Sequence, residues 1–160
     1  MKQLESRTVT VGENIFYIRP LPAFKAANMS GELASLVLPL LTGLAPLLGG
    51  ENADKGLLDI DIEKATPTIA DAFSAVSGDK LEKVLKHLLV GGGTISVQTP
   101  EMKEPQKLTE DLANEVFCEE VQDMFILAFE VIRSNYNGFF KKLGTQFGPA
   151  MQKMTQRVSR

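Results

Sequence analysis

The chain has 160 residues, 44% of them apolar and 23% charged, a balance that fits one globular domain and excludes wholesale disorder. The net charge of −3 argues against a protein that neutralises many phosphates, so no nucleic-acid partner is expected. Cys118 is the single cysteine, so no intrachain disulfide can form, and a reducing compartment is the natural setting.

Residues 1–14 are polar and mixed in charge, without the apolar core of a secretory signal. Thr8 to Val11 alternates polar and apolar, Gly12-Glu13-Asn14 signals a turn, and Ile15 to Ile18 is β-branched and aromatic. This is the pattern of a β-hairpin. Pro20 and Pro22 close it, since neither donates to a ladder.

Ala23 to Leu38 then predicts a helix, with Pro22 in its first turn. Phe24, Ala27, Gly31, Ala34 and Leu38 fall near one face, which Leu33, Leu36, Val37 and Leu40 widen into an expected buried surface. From Leu33 to Gly50 no side chain is charged. So apolar a run must be hidden in its own core, in a partner or in a membrane. Pro39, Gly43 and Pro46 interrupt it, Glu32 and Glu51 flank it, and it falls short of the roughly 20 residues that span a bilayer, so no membrane is expected. Leu40–Leu48 reads as a second short helix, and 49–56 as a loop.

Thr66-Pro67 predicts an N-cap and first helical position, with a helix over Thr68–Ser77 ended by Gly78. Asp79 and Glu82 have the spacing of a capping box for a helix over Lys80–Val90, with Leu81, Val84, Leu85 and Leu88 inward. Gly91-Gly92-Gly93 stops that helix. Thr94 to Gln98 alternates and is a candidate third strand, and Thr99–Leu108 reads as a loop. Thr109 caps the longest predicted helix, with Glu110 and Asp111 at the positive end of its dipole. Leu112, Val116, Val121, Phe125, Ala128, Ile132 and Tyr136 form its stripe, and its middle is apolar nearly all round, as in a helix central to a core or an oligomer. Asn137-Gly138 reads as a break, after which 139–143 resumes. The expected fold is therefore mainly α (α+β): a single helical domain over 1–148 with an N-terminal antiparallel hairpin, then a basic, flexible tail over 149–160.

Charge is segregated late in the chain. Every charged residue from Glu110 to Glu130 is acidic, and every one from Arg133 to Arg160 is basic. The pattern suits two solvated faces, or electrostatic pairing between subunits or with an acidic partner.

A search for chemistry yields little. His87 is the single histidine and shares a helix face with Lys80 and Lys83, so it reads as a solvated residue, and with one cysteine no zinc spacing exists. Cys118 has no base beside it and reads as a packing residue. Gly91-Gly92-Gly93-Thr94 lacks the Gly-Lys-Ser/Thr of a phosphate loop. Asp59, Asp61 and Glu63 lack the central glycine and terminal glutamate of a calcium loop, and helix capping is the simpler account. Phe125, Phe129, Phe139, Phe140 and Phe147 lack the basic, glycine-rich context of a nucleobase platform. No catalytic, metal or cofactor site is expected, and the chain reads as no enzyme.

Two stretches carry a resemblance: Phe16-Tyr17-Ile18-Arg19-Pro20-Leu21-Pro22-Ala23-Phe24-Lys25-Ala26, leading into the leucine-rich segment, and Phe129-Glu130-Val131-Ile132-Arg133-Ser134-Asn135-Tyr136-Asn137-Gly138-Phe139-Phe140. Both resemble the tail assembly chaperones of long-tailed bacteriophages, especially those of Gram-positive hosts and their prophages. The resemblance implies a non-catalytic protein of the host bacterial cytoplasm, absent from the mature virion. It would coat the tape measure protein, keep it soluble, and help recruit major tail tube protein subunits. It implies the short form, where a family member is also made as a frameshifted longer one. A holdase of this kind hides apolar surface by self-association until its client arrives, so a homo-oligomer is expected. Apolarity alone nominates Leu36, Leu40, Leu41, Leu44 and Leu47 as client or subunit contacts, with Phe139, Phe140 and Phe147 as a second patch. Two readings stay open: those leucines fill the chain's own core, or the protein is a structural or adaptor component retained in the tail.

Overall fold

The computed structural model describes residues 5–33 and 61–136. The chain is mainly α with a small sheet, as its sequence predicts. Strands β1 (Arg7–Val11), β2 (Asn14–Ile18), β3 (Ile95–Gln98) and β4 (Gln106–Lys107) form an antiparallel sheet in that order. The hairpin and the third strand both form. Gly12 has φ of 60°, the first position of a two-residue hairpin loop, so Asn14 joins β2 rather than the turn.

Register explains the sheet's two faces. Val9 pairs with Phe16 and Phe16 with Val97, while Ile18 pairs with Ile95; these side chains are buried on one face. The opposite row of Thr8, Tyr17, Ser96 and Lys107 is polar. On that face the Tyr17 hydroxyl donates to Gln98 Oε1 at 3.2 Å. Strand β4 is a correction to the loop expected over 99–108. Its pairing is extended by Leu108 N–H donating to the Ile95 carbonyl at 2.9 Å. Two residues of exposed Gln and Lys carry no alternation from which a strand is read.

Helix α1 covers 23–33 up to the edge of the described residues. Its first i→i+4 bond runs from Ala26 N–H to the Pro22 carbonyl, which places Pro22 at the N-cap, where its lack of an N–H is harmless. Helix α2 (Ile62–Ser74) starts six residues before the expected Thr68. Asp61 is the N-cap and accepts from Glu63 N–H at 3.0 Å, the capping role read for the acidic triplet. Pro67 therefore lies inside the helix. The carbonyl its ring leaves without a donor belongs to Glu63, and both residues are exposed.

Helix α3 (Gly78–Lys86) opens at the glycine expected to end α2, whose C-cap is Ala75. Ser77 is its N-cap without a side-chain bond, and Asp79 sits in the first turn, so the expected capping box does not form. Val84, Leu85 and Leu88 are buried and Leu81 partly so, as expected. The helix widens into a π-helical turn (His87–Gly91) before the glycines.

The long helix expected from Thr109 is two. Thr109 caps α4 (Glu110–Val116), accepting from Leu112 N–H at 3.2 Å. The chain then turns through Glu119, at φ of 65°, and α5 begins, helical over 121–136. The expected stripe jumps five residues from Val116 to Val121, too many for one helix face. At the break Phe117 turns inward and stacks on Phe16 of the sheet, centroids 5.7 Å apart. Helix α5 does hold the centre of the core: Leu127 to Arg133 are all buried, and Phe125 stacks on Phe73 of α2 at 5.2 Å. The apolar run beyond Leu33, and the tail read over 149–160, lie outside the described residues.

Candidate functional site

The chain that leaves β2 is bonded through Arg19, Leu21 and Lys25. Arg19 N–H donates to the Thr94 carbonyl at 2.9 Å, and its guanidinium Nη2 to the Gly93 carbonyl at 3.3 Å. Lys25 Nζ donates to the Gly91 carbonyl. Leu21 is buried so close to the backbone of Gly92 that a Cβ there would lie 2.6 Å from Leu21 Cδ2. The three glycines are thus the helix stop expected of them, and one of them also makes room for Leu21.

Helix α5 holds the same junction from the other side. Leu21 N–H donates to Asn135 Oδ1 at 2.8 Å, while Asn135 Nδ2 donates to the Val131 carbonyl at 2.8 Å. The Tyr136 hydroxyl donates to the Ala26 carbonyl at 2.5 Å. Burial pushes the Tyr136 phenol up to about 12. One turn earlier, Arg133 binds Glu130 with two bonds of 2.7 and 2.6 Å and lies over the Phe129 ring at 5.8 Å. Arg7 of β1 reaches Glu130 Oε2 at 3.1 Å and Ser134 Oγ at 2.9 Å. Glu130 and Arg133 are 4% and 5% exposed, so the carboxylate is desolvated between two guanidiniums. Burial lowers the Arg7 pKa, Glu130 opposes that, and Arg133 reinforces it. The two stretches that carry the resemblance therefore form one interlock, the second clamping the first where it enters α1.

This clamp fixes which side of α1 faces out. Met29 and Leu33 are buried and Ala26 packs against the core. Phe24 is 94% exposed, with Ala27 and Gly31 exposed beside it. The face expected to be buried is thus divided. Phe24 and Leu33 are nine residues and so about 180° apart on a helix, and only Leu33 packs inward. The signal that separates them is Met29, four residues from Leu33 and on its side. A second apolar exposure, Val121 at 54%, opens α5.

Elsewhere the side chains are occupied structurally. Glu32 of α1 accepts from His87 Nδ1 at 2.7 Å and pairs with Lys83 at 3.3 Å, which ties α1 to α3 and its π turn. The His87 hydrogen bond, ahead of the Lys83 one, holds the Glu32 carboxyl below the usual carboxylate range. His87 is thus a hydrogen-bond partner of Glu32 rather than merely solvated. Cys118 is exposed in the turn after α4 and does not pack, because the helix it was assigned to ends at Val116. Among the described residues no group of His, Cys, Asp and Glu could hold a metal, and no helix is long and apolar enough to cross a membrane. The expected contacts Leu36, Leu40, Leu41, Leu44, Leu47, Phe139, Phe140 and Phe147 all lie outside the described residues. The described surface offers an exposed aromatic ring, Phe24, on the helix that leads into the uncharged run.

A family model described as phage tail assembly chaperone protein, TAC, matches residues 12–148. No curated protein and no solved structure matches the chain.

Proposed function

From the premise that the chain belongs to the phage tail assembly chaperone family, which its match over residues 12–148 shows, we propose that it binds the tape measure protein and keeps it soluble while the tail is built. Family membership carries this reading. The role is non-catalytic and is played in the host cytoplasm, with the protein leaving before the virion is complete. A major tail tube protein is the second partner, recruited to the coated client.

The chemistry of the chain supports a holdase. A client with long apolar helices is kept from aggregating only by a surface that competes for the same contacts. The run from Leu33 to Gly50 is the longest uncharged surface this sequence can offer, and α1 delivers the chain to its start with Leu33 anchored in the core. Leu36, Leu40, Leu41, Leu44 and Leu47 are then client or subunit contacts, and Phe139, Phe140 and Phe147 a second patch.

Substituting Leu40→Asp and Leu44→Asp together tests this. The expected result is loss of client solubilisation with helicity and melting temperature retained. Retained solubilisation contradicts the assignment of the run, and an unfolded variant places these leucines in the chain's own core. Mass spectrometry of purified particles tests the role itself: the protein should be missing, and a stoichiometric amount in the virion would make it a tail component instead.

A further inference from the structure

The two edges of the sheet are built differently. One is β4, only Gln106–Lys107, with Pro105 before it and a lysine in it. Short length, proline and lysine are the usual means of keeping a strand edge from pairing with another chain. The other edge is β1, and its Thr8-Val9-Thr10-Val11 carries neither proline nor charge. Its pairing with β2 is one-to-one, without a bulge to twist it away. Arg7, the charge at its start, is drawn to Glu130 and Ser134 of α5.

Register shows which backbone groups this edge leaves open. Arg19 N–H donates to the Thr94 carbonyl, so Ile15, Tyr17 and Arg19 bond toward β3, while Asn14, Phe16 and Ile18 bond toward β1. Their partners Val11, Val9 and Arg7 therefore turn their backbone into the ladder. Thr8 and Thr10 turn their amides and carbonyls out of the sheet. Both residues are exposed, and neither backbone is hydrogen-bonded among the described residues. Carboxylates flank this row: Glu5 before it, and Glu13 with Asp123 at the hairpin turn, where a Cβ on Gly12 would lie 2.6 Å from Asp123 Oδ2. None of the three pairs with a cation among the described residues.

We propose that the β1 edge docks an extended segment of a partner protein, which adds to the four-stranded sheet as a further strand. An extended backbone is what satisfies outward amides and carbonyls repeated along a strand. A helix cannot do so, because its own backbone groups bond within it. The edge therefore takes a different occupant from a helical client, and the inference goes beyond the client reading without depending on it. Alternation specifies the segment. Its side chains beside buried Val9 and Val11 are apolar, and those beside exposed Thr8 and Thr10 are polar. The flanking carboxylates select lysine or arginine at its ends.

Amide hydrogen exchange of the full chain, resolved by NMR, tests the proposal with a probe peptide, acetyl-Lys-Ile-Ser-Val-Thr-Ile-Lys-amide. In the free chain the Thr8 and Thr10 amides should exchange fast and the Val9 amide slowly. Saturating peptide should slow Thr8 and Thr10 at least about tenfold and leave Val9 unchanged. The same peptide with every backbone amide methylated should protect neither, because it has lost its donors. Thr8→Pro removes one outward donor at a place where an edge strand tolerates proline. It should keep the wild-type circular dichroism and bind the peptide at least about tenfold more weakly. The methylated peptide leaves the chain unaltered, so it decides the matter should Thr8→Pro fail to fold. Thr8 and Thr10 already protected in the free chain would mean that another copy, or the chain itself, holds the edge. That result, no protection by the peptide, equal protection by its methylated form, or a folded Thr8→Pro that binds like wild type would overturn the proposal.

Discussion

Asn135 and Tyr136 follow one another on α5, and each spends its polar group on the backbone of a segment more than a hundred residues away. Tyr136→Phe should cost about 1 kcal/mol in urea unfolding, the usual net worth of one hydrogen bond. The same variant should remove a step near pH 12 from the phenolate absorbance titration. The sign of the linkage follows from the raised value. The unfolded phenol ionises near its usual pKa of about 10, the folded one only near 12, so the stabilisation is complete below pH 10 and is lost as pH rises toward 12. Glu130→Ala should be far more damaging, by about 3–5 kcal/mol, because it strips a buried carboxylate from between Arg7 and Arg133. None of these partnerships is legible in the sequence. Polar residues on an apolar helix look like its solvent side, and only the tertiary fold shows that Arg7 and Leu21 arrive opposite them.

Elements were legible where one local pattern acted alone. Strands β1 and β3 follow from alternation and β2 from its β-branched and aromatic residues, and Gly12 supplies the positive φ the hairpin turn requires. Legibility failed where two signals competed. Thr66-Pro67 resembles a helix start, yet Asp61 caps earlier and the proline is carried on the exposed side of α2. Pro67→Ala should therefore stabilise the protein, by up to about 3 kcal/mol, as the Glu63 carbonyl regains its donor. In α1 two apolar stripes compete, and the core takes Met29 and Leu33. Met29→Ala should cost about 2–5 kcal/mol in chemical denaturation, while Phe24→Gln should change stability by no more than about 0.5 kcal/mol. Similar losses at both positions would mean that the α1 faces are assigned wrongly. The α4–α5 break was foreshadowed by the five-residue gap in the stripe, but its cause, Phe117 stacking on Phe16, is a contact across the fold.

For the whole molecule, the stretches that point to the tail assembly chaperone family prove to be architectural. They meet in the clamp that sets α1 on the sheet, rather than in a reactive centre. That explains how a family can be recognised from segments that carry no chemistry. It also explains why the contacts nominated by apolarity, from Leu36 to Leu47 and from Phe139 to Phe147, are not fixed by it. In the function proposed above, the clamp seats α1 and binding falls to the apolar run beyond it. The central claim is that this run serves a tape measure protein. Co-expression of that protein with and without this chain, followed by the fraction recovered in the soluble phase, tests it most directly. The account predicts that the tape measure protein is soluble and co-purifies with the chain when both are made, and aggregates when made alone. Equal solubility in both cases, with no co-purification, would contradict it.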